Sequence, residues 1–100
     1  ERKFTALFAI ADVMAIGAIR ALHNNGLRVP RDVSVMGFDG LTLGSFFVPQ
    51  LSTVVQSAKI MARRSVEILI DHIEHGGHAC HEAVPYALQQ RESTRRIDDI

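Results

Sequence analysis

Apolar positions along this chain follow two rhythms. Thr5 to Ile10 (TALFAI) is a short, nearly continuous apolar run, the pattern of a parallel strand buried on both faces. Asp12 then offers an N-cap or first-turn acid, and Val13 to His23 carries helix formers. Asn24-Asn25-Gly26 is a stop signal, with Gly26 set to take the left-handed conformation. After the turn Val29-Pro30-Arg31-Asp32, Val33 to Phe38 (VSVMGF) reads as a second buried strand. Strand, helix and strand with short links make a βαβ unit, whose strands run parallel.

The first helix is apolar on more than one side. Val13, Met14, Ile16, Ile19 and Leu22 cover more than a single stripe. One face should pack on a sheet; a second implies either deep burial or another covering surface, such as a partner subunit. Beyond a loop, Gly40 to Gln50, comes LSTVV (Leu51 to Val55), a short strand or crossover. Ser57 can cap a second helix that runs to about His75 and stops at Gly76-Gly77. On it Lys59, Arg63, Glu67 and Asp71 form a solvated stripe, with Arg63 and Glu67 one turn apart. Ala62, Val66, Leu69 and Ile73 form a stripe expected to be buried. Ala83 to Gln89 (AVPYALQ) reads as a last strand, and Pro85 suggests an edge. The tail from Arg91 is polar.

Composition narrows the function classes. Apolar residues make up 47% and charged residues 22%, which is ordinary for a globular chain. No apolar run is long enough to span a bilayer, and no signal peptide is visible. The chain begins at Glu1 and not Met, so the expectation is a piece of a longer protein. Eleven Lys and Arg balance eleven Asp and Glu, which leaves no electrostatic footprint for nucleic acid on this segment. Cys80 is the single cysteine, so no internal disulfide forms.

Enzyme signatures are missing: no GxSxG, P-loop, GxGxxG or HExxH occurs, and Ser93 and Thr94 have no evident base. No catalytic residue, cofactor or metal site is therefore assigned. His72, His75, His78, Cys80 and His81 cluster after the second helix, but their spacing matches no standard zinc pattern. A solvated helix end with histidines near the negative dipole accounts for them better. Asp39, in GFDG, is the residue best placed for binding. It follows the second strand, and ligands of open α/β sheets bind at the carboxyl ends of strands. A carboxylate there accepts two hydroxyl hydrogen bonds from a polyol or sugar. A turn-forming aspartate is the plainer alternative. Asp12 lies at the same edge, where a helix cap is the plainer role.

The blocks TALFAIADVMAIGAIRALHNNGLRVPRDVSVMGFDG, FFVPQLSTVVQ and QQREST occur in order and at matching separations over roughly residues 5–95. Together they resemble the C-terminal third of bacterial transcription regulators of the LacI/GalR family. The resemblance implies an α/β fold: a fragment of a two-lobed, Rossmann-like periplasmic-binding-protein type I domain, with a parallel sheet and flanking helices. It implies that residues 1–48 and about 82–95 belong to the C-terminal lobe. Residues from about 51 to 77 would be the crossover and helix of the N-terminal lobe.

The resemblance also implies function. A small-molecule effector, a sugar or a related compound, would bind between the lobes of a cytoplasmic homodimer. Operator DNA would be bound by a helix-turn-helix domain absent from this chain. Asp39 falls on the family's effector-contacting aspartate. Gln56 falls at the crossover, either as a ligand contact or as a solvated residue. Ile16 and Phe47 fall on dimer-interface positions, with core packing the alternative for Ile16. Ala11 stands where many members have an asparagine, and Gly40 where a second acid is frequent. The competing reading is a sugar-binding protein of a transport system, which shares the two-lobed fold. A fragment of this kind, with unpaired edges, is expected when ordered to be oligomeric or to retain the rest of the domain.

Overall fold

A computed structural model describes residues 3–77 and 80–97. The elements in chain order are β1 (Ala6–Phe8), α1 (Asp12–Asn24), β2 (Ser34–Asp39), a 3-10 helix (Thr42–Phe46), β3 (Ser52–Gln56), α2 (Ala58–His75) and β4 (Tyr86–Gln89). The strands form one sheet in the order β1-β2-β3-β4. β1 and β2 are parallel, with Leu7 opposite Val35. β2 and β3 are also parallel, from Met36 opposite Ser52 to Asp39 opposite Val55. The expected parallel βαβ unit is therefore present. Among the described residues no helix is long and apolar enough to cross a membrane.

The chain divides into two compact units. One comprises the chain up to Val55 together with the segment from Ala87; the other is Gln56–Tyr86. Leu51 thus lies within the first unit. Leu51, Ser52 and Thr53 are fully buried, and β3 takes its place beside β2 through Val55. A strand needs a ladder partner for its backbone, and β2 supplies it. The first unit resumes at Ala87.

The core of the first unit lies between α1 and the sheet. Ala15 and Leu22 of α1 meet Val33, Val35, Ala9 and Leu51, with Leu7, Ile16 and Ile19 packed around them. Burial alternates into and along β2: Val33, just before it, Val35 and Gly37 are buried, while Ser34, Met36 and Phe38 are only half-buried. Burial on both faces is therefore not what β1 and β2 show. β1 is three residues long, and Phe8 is 57% exposed beside Phe38, ring edge to face at 6.4 Å. A helix on one face leaves the other face of an alternating strand open.

The polar tail is part of this core. The β2–β3 ladder starts at Met36 and Ser52, so Val35 has no β3 partner. Ser93 takes that place. The Val35 amide donates to the Ser93 carbonyl (2.8 Å), and Ser93 Oγ donates to the Val35 carbonyl (2.6 Å). Ser93 Oγ also accepts from the Ser52 amide (2.8 Å), and the residue is fully buried. Arg95 donates to the carbonyls of Pro30 and Arg31, and Arg91 to that of Leu51. The tail thus fastens the start of two strands and the turn before one of them.

In the second unit Ser57 caps α2, its hydroxyl accepting from the Ile60 amide, and Gly76 ends the helix at φ 62°. Gly26 ends the α1 region at φ 76°. Both stops follow the sequence, because left-handed backbone favours glycine. The stripe expected to be buried is exposed: Val66, Leu69 and Ile73 are 54%, 59% and 73% accessible, and α2 has no buried residue.

Removing the Ser93 hydroxyl would strand one buried amide and one buried carbonyl. Ser93→Ala is expected to lower unfolding free energy by about 2–3 kcal/mol in urea titrations of the full-length protein. Ser65→Ala, whose exposed hydroxyl only bonds back along α2, should stay within about 0.5 kcal/mol.

Candidate functional site

The carboxyl ends of β2 and β3 carry the polar residues that matter most. β2 ends at Asp39, which is exposed and has φ 120°, followed by Gly40 at φ 77°. Left-handed φ is unusual for a residue with a side chain and marks a constrained turn. Three hydrogen bonds hold that turn. The Leu41 amide donates to Asp12 Oδ2 (2.7 Å), and the Gly40 amide to Thr53 Oγ1 (3.3 Å). Thr53 Oγ1 in turn donates to Asp12 Oδ1 (2.6 Å).

Asp12 is thus not the helix cap that its position suggests. The N-cap is Ala11, without a side-chain bond, and Asp12 is the first residue of α1. Its place still suits the positive end of the helix dipole. The carboxylate is fully buried and turned toward the sheet. Gly37 makes room for it, since a Cβ at that position would collide with Asp12 Oδ1. Gly40, too, is there for a spatial reason. A Cβ there would come within 2.9 Å of Val55 Cα, so the turn packs directly on β3. Thr53 and Gly37 were not singled out in the sequence. Their signal is a hydroxyl and a glycine at buried strand positions, which only the strand register connects to Asp12.

Gln56 is the last residue of β3 and half-buried; it follows Val55, the register partner of Asp39, and opens the second unit. Ile16 and Phe47 come together. Both line an open groove of about 500 Å³ on the first unit, with Ile19, Leu27 and Val48. Ile16 also packs on the core. Phe47 and Val48 are 40% and 93% exposed. Arg20, Arg28 and Arg31 also line the groove. Exposed apolar side chains beside charged ones are the composition of an interaction surface.

A family profile described as "Periplasmic binding protein-like domain" matches residues 1–94. The chain belongs to this family. The HTH-type transcriptional regulator MalR of Clostridium butyricum is 44% identical over 97 residues, which is 97% of this chain and 29% of that protein. A lac repressor dimer bound to operator and the anti-inducer ONPF has a similar structure, with TM-score 0.80 and 33% identity over 90% of this chain and 32% of that one. The complex of the transcriptional regulator CelR with cellobiose gives TM-score 0.78 and 33% identity, over 89% and 28%. The chain therefore spans about a third or less of the length of these relatives. The resemblance to LacI/GalR regulators drawn from the sequence holds.

The second unit of this family member carries its charges on α2. Arg64, not Arg63, pairs with Glu67 (2.6 Å) and also with Glu82 (2.7 Å). Arg64 thus reaches a glutamate beyond the helix as well as one on it. Its hydrogen bond holds the Glu82 carboxyl below the ordinary glutamate range, and the same bond raises the Arg64 pKa. His75 contacts Asp71 at 3.1 Å. Among the described residues no three His, Cys, Asp or Glu side chains could hold a metal ion. His78 lies outside the described residues.

Two outcomes follow from this geometry. Asp12→Ala should cost about 2–4 kcal/mol in urea unfolding, because the buried Thr53 hydroxyl and the partly buried Leu41 amide lose their acceptor. In NMR titrations Arg64→Ala should move the Glu82 midpoint up toward the ordinary glutamate value. A carboxyl with a depressed folded pKa stabilises the fold above its ordinary pKa and loses that contribution as pH falls through the folded value. The Arg64–Glu82 contact should accordingly weaken only under acid conditions.

Proposed function

We propose that this chain is the C-terminal part of the effector-sensing domain of a DNA-binding transcription regulator, and that its effector is a sugar or a related small molecule. The observation that carries the reading is the exposed Asp39 carboxylate, held at the carboxyl end of a parallel strand. The family match and the similarity to regulators such as MalR and CelR support it. They also favour it over a sugar-binding protein of a transport system.

In this reading the first unit is the larger part of the C-terminal lobe, and Gln56–Tyr86 belongs to the N-terminal lobe. Asp39 accepts two hydroxyl hydrogen bonds from the effector, and Gln56 contacts it from the crossover. Contacts from both lobes favour one lobe orientation over the other, which requires different effector affinities for the two states. Ile16 and Phe47 lie in the homodimer interface, where the groove is filled by the second copy. A helix-turn-helix domain outside this chain binds operator DNA in the cytoplasm. No covalent chemistry is needed, and the protein is not an enzyme.

A thermal-shift screen of monosaccharides, cellobiose and other disaccharides, and purine bases on the full-length protein tests the effector. At least one compound should raise Tm. Asp39→Ala should lose that shift, with Kd weakened about tenfold to a hundredfold. Equal responses from both proteins would make Asp39 a turn residue only. Sedimentation equilibrium tests the interface: Ile16→Asp should shift a dimer toward monomer, because it buries an unpaired charge.

A further inference from the structure

We infer that Asp12 and Thr53 are positioning residues, buried side chains whose hydrogen bonds to the turn hold the Asp39 carboxylate in the orientation that meets a ligand. The inference rests on the reading of Asp39 as a ligand contact. It starts from a conflict at the end of β2: a residue with a side chain stands at φ 120°, in backbone space that side chains rarely adopt. Such a conformation persists only where its surroundings impose it.

The surroundings here are specific. Upstream, the ladder fixes Asp39 opposite Val55. Downstream, the next two amides are both bound. Gly40 donates to Thr53 Oγ1, and Leu41 donates to Asp12 Oδ2. The two acceptors are joined through the Thr53 hydroxyl and Asp12 Oδ1, so neither can shift alone. Gly40 is pressed onto Val55, which blocks movement toward β3. Asp12 and Thr53 are fully buried, whereas Asp39 is exposed.

A purely structural turn would be served better by glycine at position 39, which adopts positive φ freely. The chain instead keeps an acid there and surrounds it with buried polar restraints. Asp12 is free for this work because α1 takes no side-chain cap from it. A carboxylate fixed before binding loses less freedom when a ligand arrives, which is what pre-organisation means for affinity.

The test is a double-mutant cycle on the full-length protein, read by urea unfolding without any ligand. Asp39→Gly is made in the wild type and in Thr53→Val, which removes the hydroxyl but keeps the shape. If Thr53 helps to impose the strained turn, replacing Asp39 relieves strain only where the restraint is intact. The change in unfolding constant caused by Asp39→Gly should then differ at least fivefold between the two backgrounds. Thr53→Ser, which restores the hydroxyl, should return the wild-type value, a rescue that lost packing alone would not give. Should Thr53→Val not fold, Asp12→Asn serves as the second background, since an amide cannot accept from both Thr53 and Leu41 through its two ends. Equal effects within twofold in both backgrounds would overturn the positioning role. Because no ligand enters the cycle, that result is separate from a failed effector screen, which would overturn the reading of Asp39 itself.

Discussion

A carboxylate withdrawn wholly from water needs donors in return, and Asp12 finds them in the Thr53 hydroxyl and the Leu41 amide. Those two partners lie 41 and 29 residues further along the chain. One side chain therefore ties the first turn of α1 to β3 and to the loop after β2. Gly37 is accommodated to it, since any side chain there would occupy its space. The exposed end of β2, with Asp39 at its tip, is built on this buried contact.

The opposite ends of the strands are closed in a different way. There the backbone and hydroxyl of Ser93 stand in for the missing ladder partner of Val35, and Arg91 and Arg95 reach backbone carbonyls around them. The first unit is thus fastened at both ends of β2 by polar contacts of long sequence separation, with the apolar core between them. The groove holding Ile16 and Phe47 and the apolar residues of α2 remain accessible in the chain by itself.

What the sequence discloses and what it hides divide along sequence separation. The caps at Ser57, Gly26 and Gly76 depend on a few neighbouring residues, and each was legible. The parallel βαβ order was legible from the apolar rhythm. Asp39 could be placed at a strand end from GFDG alone. The partners of Asp12 could not be, because an aspartate opening a helix reads as a cap unless the strand register is known. Ser93 read as a tail residue for the same reason. Arg63 was the expected partner of Glu67 by spacing; Glu82, which lies beyond the helix, selects Arg64 instead. LSTVV carried both a strand and a crossover reading, and pairing with β2 decides for the strand through Val55.

The claim at the centre of this account is that a constrained strand-end carboxylate meets the effector. A crystal structure of the full-length protein with a bound sugar tests it most directly. The account predicts Asp39 oxygens about 2.5–3.0 Å from sugar hydroxyls, with Asp39 still at positive φ and Asp12 still bound to the Leu41 amide. A sugar seated elsewhere, with the Asp39 carboxylate directed only to protein atoms, would contradict it.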